Sequence, residues 1–562
     1  MMTAAKDKAP LPNGVAVVER ADGDGPGDGV RKAQRDRLLE AVLGAKVAFW
    51  QDADGTAYAT VPASGDTGQQ RYRIRSRRFA LVVRDLYGQA NQRQVGGMGL
   101  VIPGSISDTA LAETLPALEA IALRGPVWEP DVRACHWQGA VWLDLGGPDW
   151  RLVRVDAAGW RVVPGADVPL LRPDGMRALP VPVVVAPGKR QATLATLRGL
   201  LNIGTDEADG QDKDGKPHQP RERAFKLVVA WLVAALHPTG PYPVLALDGE
   251  QGSGKSTCCR MLRRLVDPSK ADLRAPPRHE DDLIVAATAA RVLALDNVSF
   301  IEAETADALC RLATGAGLSK RKLYSDGDEH LVSVCRPILL NGIPSLLARG
   351  DLADRAVAIT LPTIPDAQRK PEAEVWRDFE AAAPVILALL LDGLARALAD
   401  MPTLRLDRLP RMADFARLAC AAAPAFGWTQ ADMLDAIEGN RADAVEAVIE
   451  ADPVAVAVRG FMEGQHGRTW EGTASALLEI VNGLTPTEQQ RERAYPKDAG
   501  RLSTRLRRIA PAMRRDGWDI ALPESGGRRG RSITIKPLQA GAQQRAAVPD
   551  DFGAEGSAGG FV

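Results

Sequence analysis

The sequence predicts an α/β fold for the centre of this 562-residue chain: a parallel sheet with helices on both faces. Two observations lead to that prediction. From residue 224 to residue 361, apolar stretches typical of strands alternate with stretches of helical periodicity, which is the pattern of a parallel sheet. One of these strands, residues 244–247, runs through a glycine-rich segment directly into a helix. A chain of this length has room for several domains, so the sheet is one part of the protein.

The composition excludes several classes of protein. Hydrophobic residues make up 45% and charged residues 25% of the chain, which is the balance of a soluble globular protein rather than a fibrous or disordered one. Lys and Arg number 70 against 71 Asp and Glu, so any surface that binds nucleic acid must come from a local excess of basic residues.

Cysteine spacing and the apolar runs predict a cytoplasmic protein without a membrane partner. The six cysteines form no C-x-x-C pair, which argues against a zinc ribbon or a disulfide framework. The N-terminus lacks the apolar segment of a secretory signal. The longest apolar runs, 228–236 and 385–391, are shorter than the roughly 20 residues of a membrane-spanning helix.

Changes in composition and periodicity divide the chain into segments. Glycine, aspartate and proline dominate its beginning, and glycine and alanine dominate its end. We predict a disordered lead-in (1–30), an N-terminal α+β domain of unknown role (31–200), a polar linker (201–223), the α/β core (224–371), a helical region (372–454), a small module (455–537) and a disordered tail (538–562).

The role of the N-terminal domain is the least defined by its residues. A primase active site needs clustered carboxylates to hold two metal ions. Asp52 and Asp54 offer a pair, but they lie in the turn 52–55 of a predicted hairpin, where aspartate is expected anyway. His136 has no partner at metal-ligand spacing, and packing beside Trp137 is the simpler interpretation. A domain that binds a partner or a replication origin is therefore favoured.

The glycine-rich segment after the first strand of the core matches the phosphate-binding loop GxxxxGK[ST]. Its glycines let backbone N–H groups curl around phosphate oxygens, and the N-terminus of the following helix adds partial positive charge. We expect Lys255 to reach the β- and γ-phosphates and the Ser256 hydroxyl to ligate Mg²⁺. The predicted nucleotide-binding residues are Gly249, Glu250, Gln251, Gly252, Ser253, Gly254, Lys255, Ser256 and Thr257.

Asp296 ends a second apolar strand, residues 292–295. In nucleotide hydrolases an aspartate at such a position holds the hydration shell of Mg²⁺, so Asp296 is the second predicted metal ligand. A buried strand that ends in an ordinary Asx turn is the alternative. The next residue is Asn297, where many ATPases have a glutamate that polarises the attacking water. Glu250 and Glu302 are candidates for that role, and either can equally be a solvated carboxylate.

Two further polar residues border predicted strands of the core. Asn341 follows the third strand, where its side chain can sense the γ-phosphate or the attacking water. Arg355 precedes the last strand, where an arginine can complete the site of a neighbouring subunit as an arginine finger. The alternative for Arg355 is a local ion pair with Asp351 or Asp354.

The order of these motifs resembles that of an AAA+ ATPase, with the short spacing of superfamily 3 helicases. The segments GEQGSGKS, LALDNVS, DALCRLATG, RPILLNGI and DLADRAV look like those of poxvirus-type primase–helicase relatives from bacterial prophages and integrative elements. The resemblance implies a hexameric ring on DNA, with Mg-ATP bound between subunits and the residues 372–454 as a helical lid. It implies Ser256 and Asp296 as metal ligands, and as catalytic residues Lys255, Asp296, Asn341 and Arg355.

The resemblance also implies a β-hairpin that projects into the ring channel and grips DNA. The matching piece contains Lys320, Arg321 and Lys322, whose charges suit phosphate contacts. Its turn carries Asp326 and Asp328, which repel phosphate and depart from a simple DNA-gripping tip. A solvated cluster of basic residues is the alternative.

A local excess of basic residues marks the module 455–537. Between residues 491 and 536, thirteen Lys and Arg stand against five Asp and Glu. A basic helix at 498–516 and an arginine-tipped hairpin after it resemble a winged helix, which predicts DNA binding. A lid extension with a solvated face is the alternative. The predicted DNA-binding residues of the module are Arg501, Arg505, Arg508, Arg528, Arg529 and Arg531.

Together these features predict an ATP-dependent DNA helicase or translocase that acts in the replication of a prophage or another mobile element. A first alternative is a nucleotide-switched DNA-binding initiator. A second is an ATPase of phage defence or DNA packaging. Neither alternative unwinds DNA.

Overall fold

The computed structural model describes most of the chain. The described residues are 33–62, 68–95, 100–206, 219–277, 279–298, 302–315, 318–321, 329–332, 334–342, 352, 355–492, 495–522 and 532–538. The predicted disordered lead-in and nearly all of the predicted tail lie outside them. The same holds for four predicted DNA-binding residues, Lys322, Arg528, Arg529 and Arg531.

The first part of the N-terminal region is a small α+β unit. Its elements are α1 (Gln34–Gly44), β1 (Ala48–Gln51), β2 (Ala57–Pro62), β3 (Gln69–Arg73), α2 (Arg77–Ala90), β4 (Arg93–Val95), β5 (Leu100–Ile102) and α3 (Asp108–Ala122). Strands β1, β2 and β3 form an antiparallel sheet in that order, which confirms the predicted hairpin. The apolar side chains of this sheet and of the three helices enclose a core of their own.

The second part of the N-terminal region is a β-meander followed by a helix. Its elements are β6 (Asp131–Val132), β7 (Ala134–Trp137), β8 (Ala140–Asp144), β9 (Leu152–Asp156), β10 (Gly159–Val163), β11 (Leu170–Leu171) and α4 (Arg190–Leu200). Most of its buried residues, including Val141, Val153 and Leu197, share one hydrophobic core with residues 224–436. The predicted domain 31–200 therefore packs as two parts, because only the first part encloses its apolar side chains by itself.

The centre of the molecule is a parallel α/β unit, as the alternating pattern predicts. Its elements are α5 (Pro220–Leu236), β12 (Val244–Gly249), α6 (Lys255–Val266), α7 (Glu280–Thr288), β13 (Leu293–Val298), α8 (Ala303–Thr314), β14 (Leu318–Arg321), β15 (Glu329–Val332), β16 (Ile338–Gly342) and β17 (Ala356–Leu361). Four strands form a parallel sheet in the order β13–β16–β12–β17, and β14 and β15 pair as a separate antiparallel hairpin. The carboxyl ends of the parallel strands therefore meet at one edge of the sheet.

Residues 201–223 differ from the predicted polar linker. The residues after α4 lie against the loop that follows β12, and α5 begins at Pro220, inside the predicted linker. Asp206 caps α5, since its carboxylate accepts hydrogen bonds from Arg221 N at 3.0 Å and Glu222 N at 2.9 Å. Nearly every residue of α5 from Ala224 onward is buried, so the helix forms part of the interior.

The predicted helical region consists of α9 (Glu372–Asp400), α10 (Ala413–Ala422), a 3₁₀ turn (Ala423–Phe426) and α11 (Gln430–Glu450). By length and composition α9 could cross a membrane, but 61% of its most apolar stretch is buried inside the fold. It packs against α4, α5, α10 and the β-meander, as the core helix of a soluble protein does.

The C-terminal module has its own core and sheet. Its elements are α12 (Pro453–Gly464), β18 (Trp470–Thr473), α13 (Ala474–Leu484), α14 (Thr487–Gln490), α15 (Ala499–Arg515), β19 (Trp518–Ala521) and β20 (Ser532–Pro537). The strands form an antiparallel sheet in the order β18–β20–β19. Helix α15 starts where Asp498 accepts a hydrogen bond from Arg501 N, and its residues at helical spacing, among them Leu502, Leu506 and Met513, are buried.

Candidate active site

The loop between β12 and α6 has a backbone that requires glycine. Gly249, Gly252 and Gly254 have φ angles of +144°, +88° and +77°, values that side chains rarely allow. A Cβ on Gly249 would also lie 2.6 Å from Leu361 O and 2.8 Å from Ser253 Oγ. The loop thus passes close to the end of β17. It then leads into the N-terminus of α6, and the first N–H groups of a helix have no partner within the helix.

Lys255 is the first residue of α6, and its side chain turns back over the loop. Its Nζ donates hydrogen bonds to Gly249 O at 2.6 Å and to Glu250 O at 2.9 Å. The ammonium group therefore lies against the loop backbone, on the side where a phosphate held by the loop would meet it.

Three predicted site residues from three different elements meet beside Lys255. The Ser256 hydroxyl donates to Asp296 Oδ1 at 3.1 Å. The Asn341 amide donates to Ser256 Oγ at 3.0 Å and also to Asp296 Oδ1. These contacts are possible because β12, β16 and β13 are neighbours in the sheet and end at the same edge.

Two buried polar atoms of this cluster have no hydrogen-bond partner among the described residues, the Ser253 hydroxyl oxygen and Asn341 Oδ1. Buried polar groups are normally paired, so such atoms indicate a place for a bound molecule or water. Ser256 and Asp296 supply the oxygen ligands that Mg²⁺ prefers, and a Mg²⁺ held with nucleotide phosphates needs only one or two protein ligands. The residues present therefore fit a Mg-nucleotide.

Glu250 and Glu302 are the predicted candidates for positioning the attacking water, and Asn297, at the usual position of the glutamate, donates its backbone N–H to Asp296 Oδ1 at 3.0 Å. Asn297 is exposed and has a φ angle of +53°. The Glu250 carboxylate accepts a hydrogen bond from Thr363 Oγ1 at 3.2 Å. Glu302 is exposed at the N-terminus of α8.

Arg355 lies at the opposite end of the sheet from the loop. Its carbonyl accepts a hydrogen bond from Val244 N at 2.9 Å, at the start of β12. Gly249, at the other end of β12, pairs with Leu361. The five residue steps from Val244 to Gly249 span about 16 Å at strand spacing, too far for Arg355 to reach the loop of its own chain. Asp351 and Asp354, its alternative partners, lie outside the described residues.

Two segments that support the loop were not predicted. The Asn202 amide donates to Ser253 O at 3.0 Å and to Pro362 O at 2.7 Å, and Asn202 has a φ angle of +53°. Ile364 N donates to Gly252 O at 3.3 Å. An Asn that precedes Ile-Gly after an apolar helix is a weak signal for such a turn, and residues 362–369 carry no periodic pattern.

Two cysteines pack behind the loop, on α6. Cys258 and Cys259 are buried, and burial raises the pKa of the Cys258 thiol to about 12 and that of Cys259 well above its usual value. Both thiols therefore stay protonated at neutral pH and serve packing rather than chemistry.

A cavity of about 670 Å³ adjoins the loop on the side of the edge strand β17. Asp248 and Pro362 line it near the loop, and Arg505 and Arg508 of α15 line it from the C-terminal module. Asn440 of α11 also borders it and accepts a hydrogen bond from the backbone of β17 at Ala358 N. The basic helix thus lies on the flank of the sheet that carries the loop.

The predicted DNA-binding arginines of α15 differ in their surroundings. Arg501 and Arg508 are exposed, as is Arg507, which was not predicted. Arg505 instead forms an ion pair with the buried Asp452 at 2.6 Å. The charge of Arg505 is thus paired within the protein, and its contact with DNA stays a prediction. Lys320 and Arg321 lie on β14, in the hairpin with β15.

The candidates in the N-terminal region have structural partners. Asp52 Oδ1 accepts hydrogen bonds from Asp54 N and Thr56 N, as expected for a turn aspartate. The Nε2 atom of His136 lies 3.3 Å from Nε2 of His237. Within the described ranges no group of three or more His, Cys, Asp or Glu side chains could hold a metal ion.

Two family models match this chain. The model described as "Actinomycete integrative conjugative element replication protein" matches residues 221–445, and the model "AICE RepA C-terminal domain" matches residues 454–548. Together they cover more than half of the sequence. The chain belongs to the replication proteins of actinomycete integrative conjugative elements. The predicted role in replication of a mobile element is thereby confirmed, whereas ATP hydrolysis, ring assembly and unwinding stay predictions.

The comparison with solved structures finds apo forms of the C-terminal region of NrS-1. Two of them have a TM-score of 0.36 and 12% sequence identity, and cover 89% of this replication protein and 99% or 98% of the NrS-1 region. A third has a TM-score of 0.34 and 11% identity. No curated protein matches it in sequence.

Proposed function

We propose that this replication protein binds and hydrolyses Mg-ATP at the loop Gly249–Thr257 and uses the energy to move along DNA as a helicase or translocase. The observation that carries the proposal is the convergence of Lys255, Ser256, Asp296 and Asn341 at one edge of the parallel sheet. A glycine-rich turn without this function would have no need for a lysine, a hydroxyl, a carboxylate and an amide at the same place.

The chemistry follows from these four side chains. Lys255 exchanges its carbonyl partners for the β- and γ-phosphates, because phosphate oxygens are stronger acceptors for an ammonium group. Ser256 and Asp296 hold Mg²⁺ directly or through water. Asn341 orients both, and its unpaired Oδ1 is available to a water near the γ-phosphate.

The arrangement favours a site shared between subunits. Arg355 is about 16 Å along the sheet from the loop of its own chain, so an arginine finger at this position has to act on a neighbour. A ring in which Mg-ATP lies between subunits satisfies that requirement.

The C-terminal module is proposed to hold DNA. The module begins with helix α12 and strand β18, continues with helices α13 to α15 and ends with strands β19 and β20, and this alternation is similar to the element order of a winged helix. The exposed Arg501, Arg507 and Arg508 supply positive charge for phosphate contacts. A protein that acts on replicating DNA in a bacterium works in the cytoplasm, as the sequence predicts.

Strand displacement on a forked DNA duplex tests the proposal directly. The wild-type protein should release the displaced strand only in the presence of ATP and Mg²⁺. The Lys255→Ala variant should bind the fork but release no strand, because it loses the charge on the phosphates and no core packing. Equal strand release by Lys255→Ala, or release without ATP, would overturn the assignment of the loop.

A nucleotide-switched initiator is the second candidate, and Asn297 favours it. An amide in place of the usual glutamate cannot act as a general base, which predicts slow ATP hydrolysis without DNA. An initiator would bind DNA in an ATP-dependent manner and release no strand in the same assay. A high rate of hydrolysis in the absence of DNA would argue against this candidate.

A further inference from the structure

Arg369 places a second cation on the phosphate-binding loop. It follows the 3₁₀ turn Asp366–Gln368, in the connection between β17 and α9. Its Nη2 lies 3.1 Å from the position that a Cβ on Gly252 would occupy. The guanidinium group therefore rests on the middle of the loop of its own chain, at Gly252, whose φ angle of +88° favours glycine.

Backbone contacts hold the segment that carries Arg369 against the loop. Ile364 N donates to Gly252 O at 3.3 Å, and Ile364 Cδ1 lies 3.3 Å from the position of a Cβ on Gly254. The Asn202 amide joins Ser253 O to Pro362 O. The position of Arg369 thus follows from the packing of its segment rather than from the reach of a long side chain alone.

The ion pair between Arg369 and Asp366 is a weak one. Arg369 Nη1 lies 2.9 Å from Asp366 Oδ1, and the two side chains are 54% and 89% exposed. Exposed ion pairs contribute little to stability, so a nucleotide phosphate can replace Asp366 at small cost.

We propose that Arg369 binds the phosphates of the nucleotide held by the loop of its own subunit. The proposal rests on the proposed function, in that it requires the loop to bind a nucleotide. The proposal gives the two arginines different nucleotides. Arg369 acts on the nucleotide of its own chain, beside Lys255. Arg355, at the far end of β17, acts on the nucleotide of a neighbouring subunit.

Equilibrium binding of fluorescently labelled ATP and ADP to the full chain, with Mg²⁺, tests the proposal. Arg369→Ala should bind ATP about tenfold or more weakly, because it removes a charge-assisted hydrogen bond to phosphate. Arg369→Lys should retain part of the affinity, since the charge remains. Asp366→Asn is the matched control: it removes the competing carboxylate and should bind ATP at least as tightly as the wild type.

The outcomes separate this proposal from the proposed function. If Arg369→Ala binds ATP as the wild type does while Lys255→Ala does not, the role of Arg369 is wrong and the loop assignment stands. If the wild type binds neither ATP nor ADP, both are wrong. If Arg369→Lys loses as much affinity as Arg369→Ala and both unfold at lower urea concentration, Arg369 only packs the loop. Weaker binding in Arg369→Ala with unchanged unfolding and partial recovery in Arg369→Lys supports the proposal.

Discussion

Arg355 and Arg369 lie beyond the two ends of the edge strand β17, and our proposals therefore give them different nucleotide sites. Arg355 pairs through its backbone with the start of β12, and Arg369 rests on Gly252 beyond the end of β12. Because parallel strands keep their direction across the sheet, one end of β17 belongs to the loop of the same chain and the other faces away from it. Two arginines separated by the length of one strand are thus proposed to act on different sites.

Mixing variant subunits tests the role of Arg355. Neither Arg355→Ala nor Lys255→Ala should hydrolyse ATP at an appreciable rate alone, since an arginine finger contributes about 10³-fold or more to hydrolysis in related enzymes. A mixed oligomer contains interfaces that join an intact Lys255 to an intact Arg355 of the neighbour, so ATPase activity should partly return. Specific activity should also rise with protein concentration.

The control for this experiment is a mixture of Lys255→Ala with Asp296→Ala. Lys255 and Asp296 belong to the same subunit's part of the site. Every site in this mixture therefore lacks one of the two side chains, and the mixture should stay inactive. Absence of rescue in oligomers that demonstrably contain both Arg355→Ala and Lys255→Ala subunits would return Arg355 to a structural role.

The side chains of helix α15 fall into groups with different surroundings. Leu502, Leu506 and Met513 fill the core of the module. Arg505 pairs with Asp452, which also caps α12 by accepting hydrogen bonds from Val454 N. Arg501, Arg507 and Arg508 are exposed, whereas Arg514 pairs with Asp519. Helix α15 thus contributes to the core of the module and also presents positive charge to the solvent.

Charge reversal on α15 should distinguish the arginines that bind DNA from the arginine that stabilises the module. Arg501→Glu with Arg508→Glu should weaken DNA binding and lower the salt slope of log affinity by about 0.9 for each phosphate that the helix no longer neutralises. Arg505→Glu should instead destabilise the module, on the order of 3 kcal/mol, because it places a carboxylate beside the buried Asp452. Fluorescence anisotropy over a salt series and urea unfolding measure the two effects.

Arg468→Glu is the matched control for this experiment, since Arg468 is exposed on the same module outside α15. It should change neither the salt slope nor the unfolding free energy. A salt slope that is the same for the wild type and the Arg501→Glu, Arg508→Glu variant would show that the basic face of α15 does not contact DNA.

The second part of the N-terminal region and the α/β core form a continuous body joined by buried charges. Arg133 is fully buried, and its Nε lies 3.1 Å from Asp267 Oδ1 of the core. Arg336 of the core reaches back to Asp131 at 2.8 Å. Since breaking a buried pair leaves an unpaired charge, these contacts hold the β-meander to the core.

A histidine pair at the same junction makes its stability depend on pH. His237 Nδ1 lies 2.9 Å from Thr239 O, which can only accept, so Nδ1 carries the proton and the neutral ring accepts from His136 through Nε2. Burial, with smaller contributions from His136 and Arg291, lowers the pKa of His237 to about 4. Burial also lowers the pKa of His136.

Acidification should therefore loosen this junction. Between the usual histidine pKa of 6.5 and about 4, the unfolded chain binds a proton that folded His237 does not. The stabilisation is present above about pH 6.5 and is lost as the pH falls, by about 3 kcal/mol at most. The unfolding midpoint should fall more steeply below pH 6.5 in the wild type than in His237→Gln. Parallel pH profiles for the two proteins would contradict this account.

Local features of the molecule could be predicted because consecutive residues determine them. The loop Gly249–Thr257 needs glycines, a lysine and a hydroxyl within nine neighbouring positions, and the sequence pattern specifies all of them. The buried face of α15 follows from apolar residues at helical spacing. The alternating strands and helices of the core likewise predicted the parallel sheet.

Only the tertiary structure decided which distant residues meet. The second part of residues 31–200 shares its core with residues 224–436, while the first part has a core of its own. Arg505 pairs with Asp452, and Asn202 and Arg369 contact the loop. All of these contacts join segments that are far apart in the chain. Their sequence signals are weak because each residue is ordinary in its local context: a turn asparagine, or an arginine among polar neighbours. Their roles arise from the order and register of the strands, which long-range packing sets and local sequence does not encode.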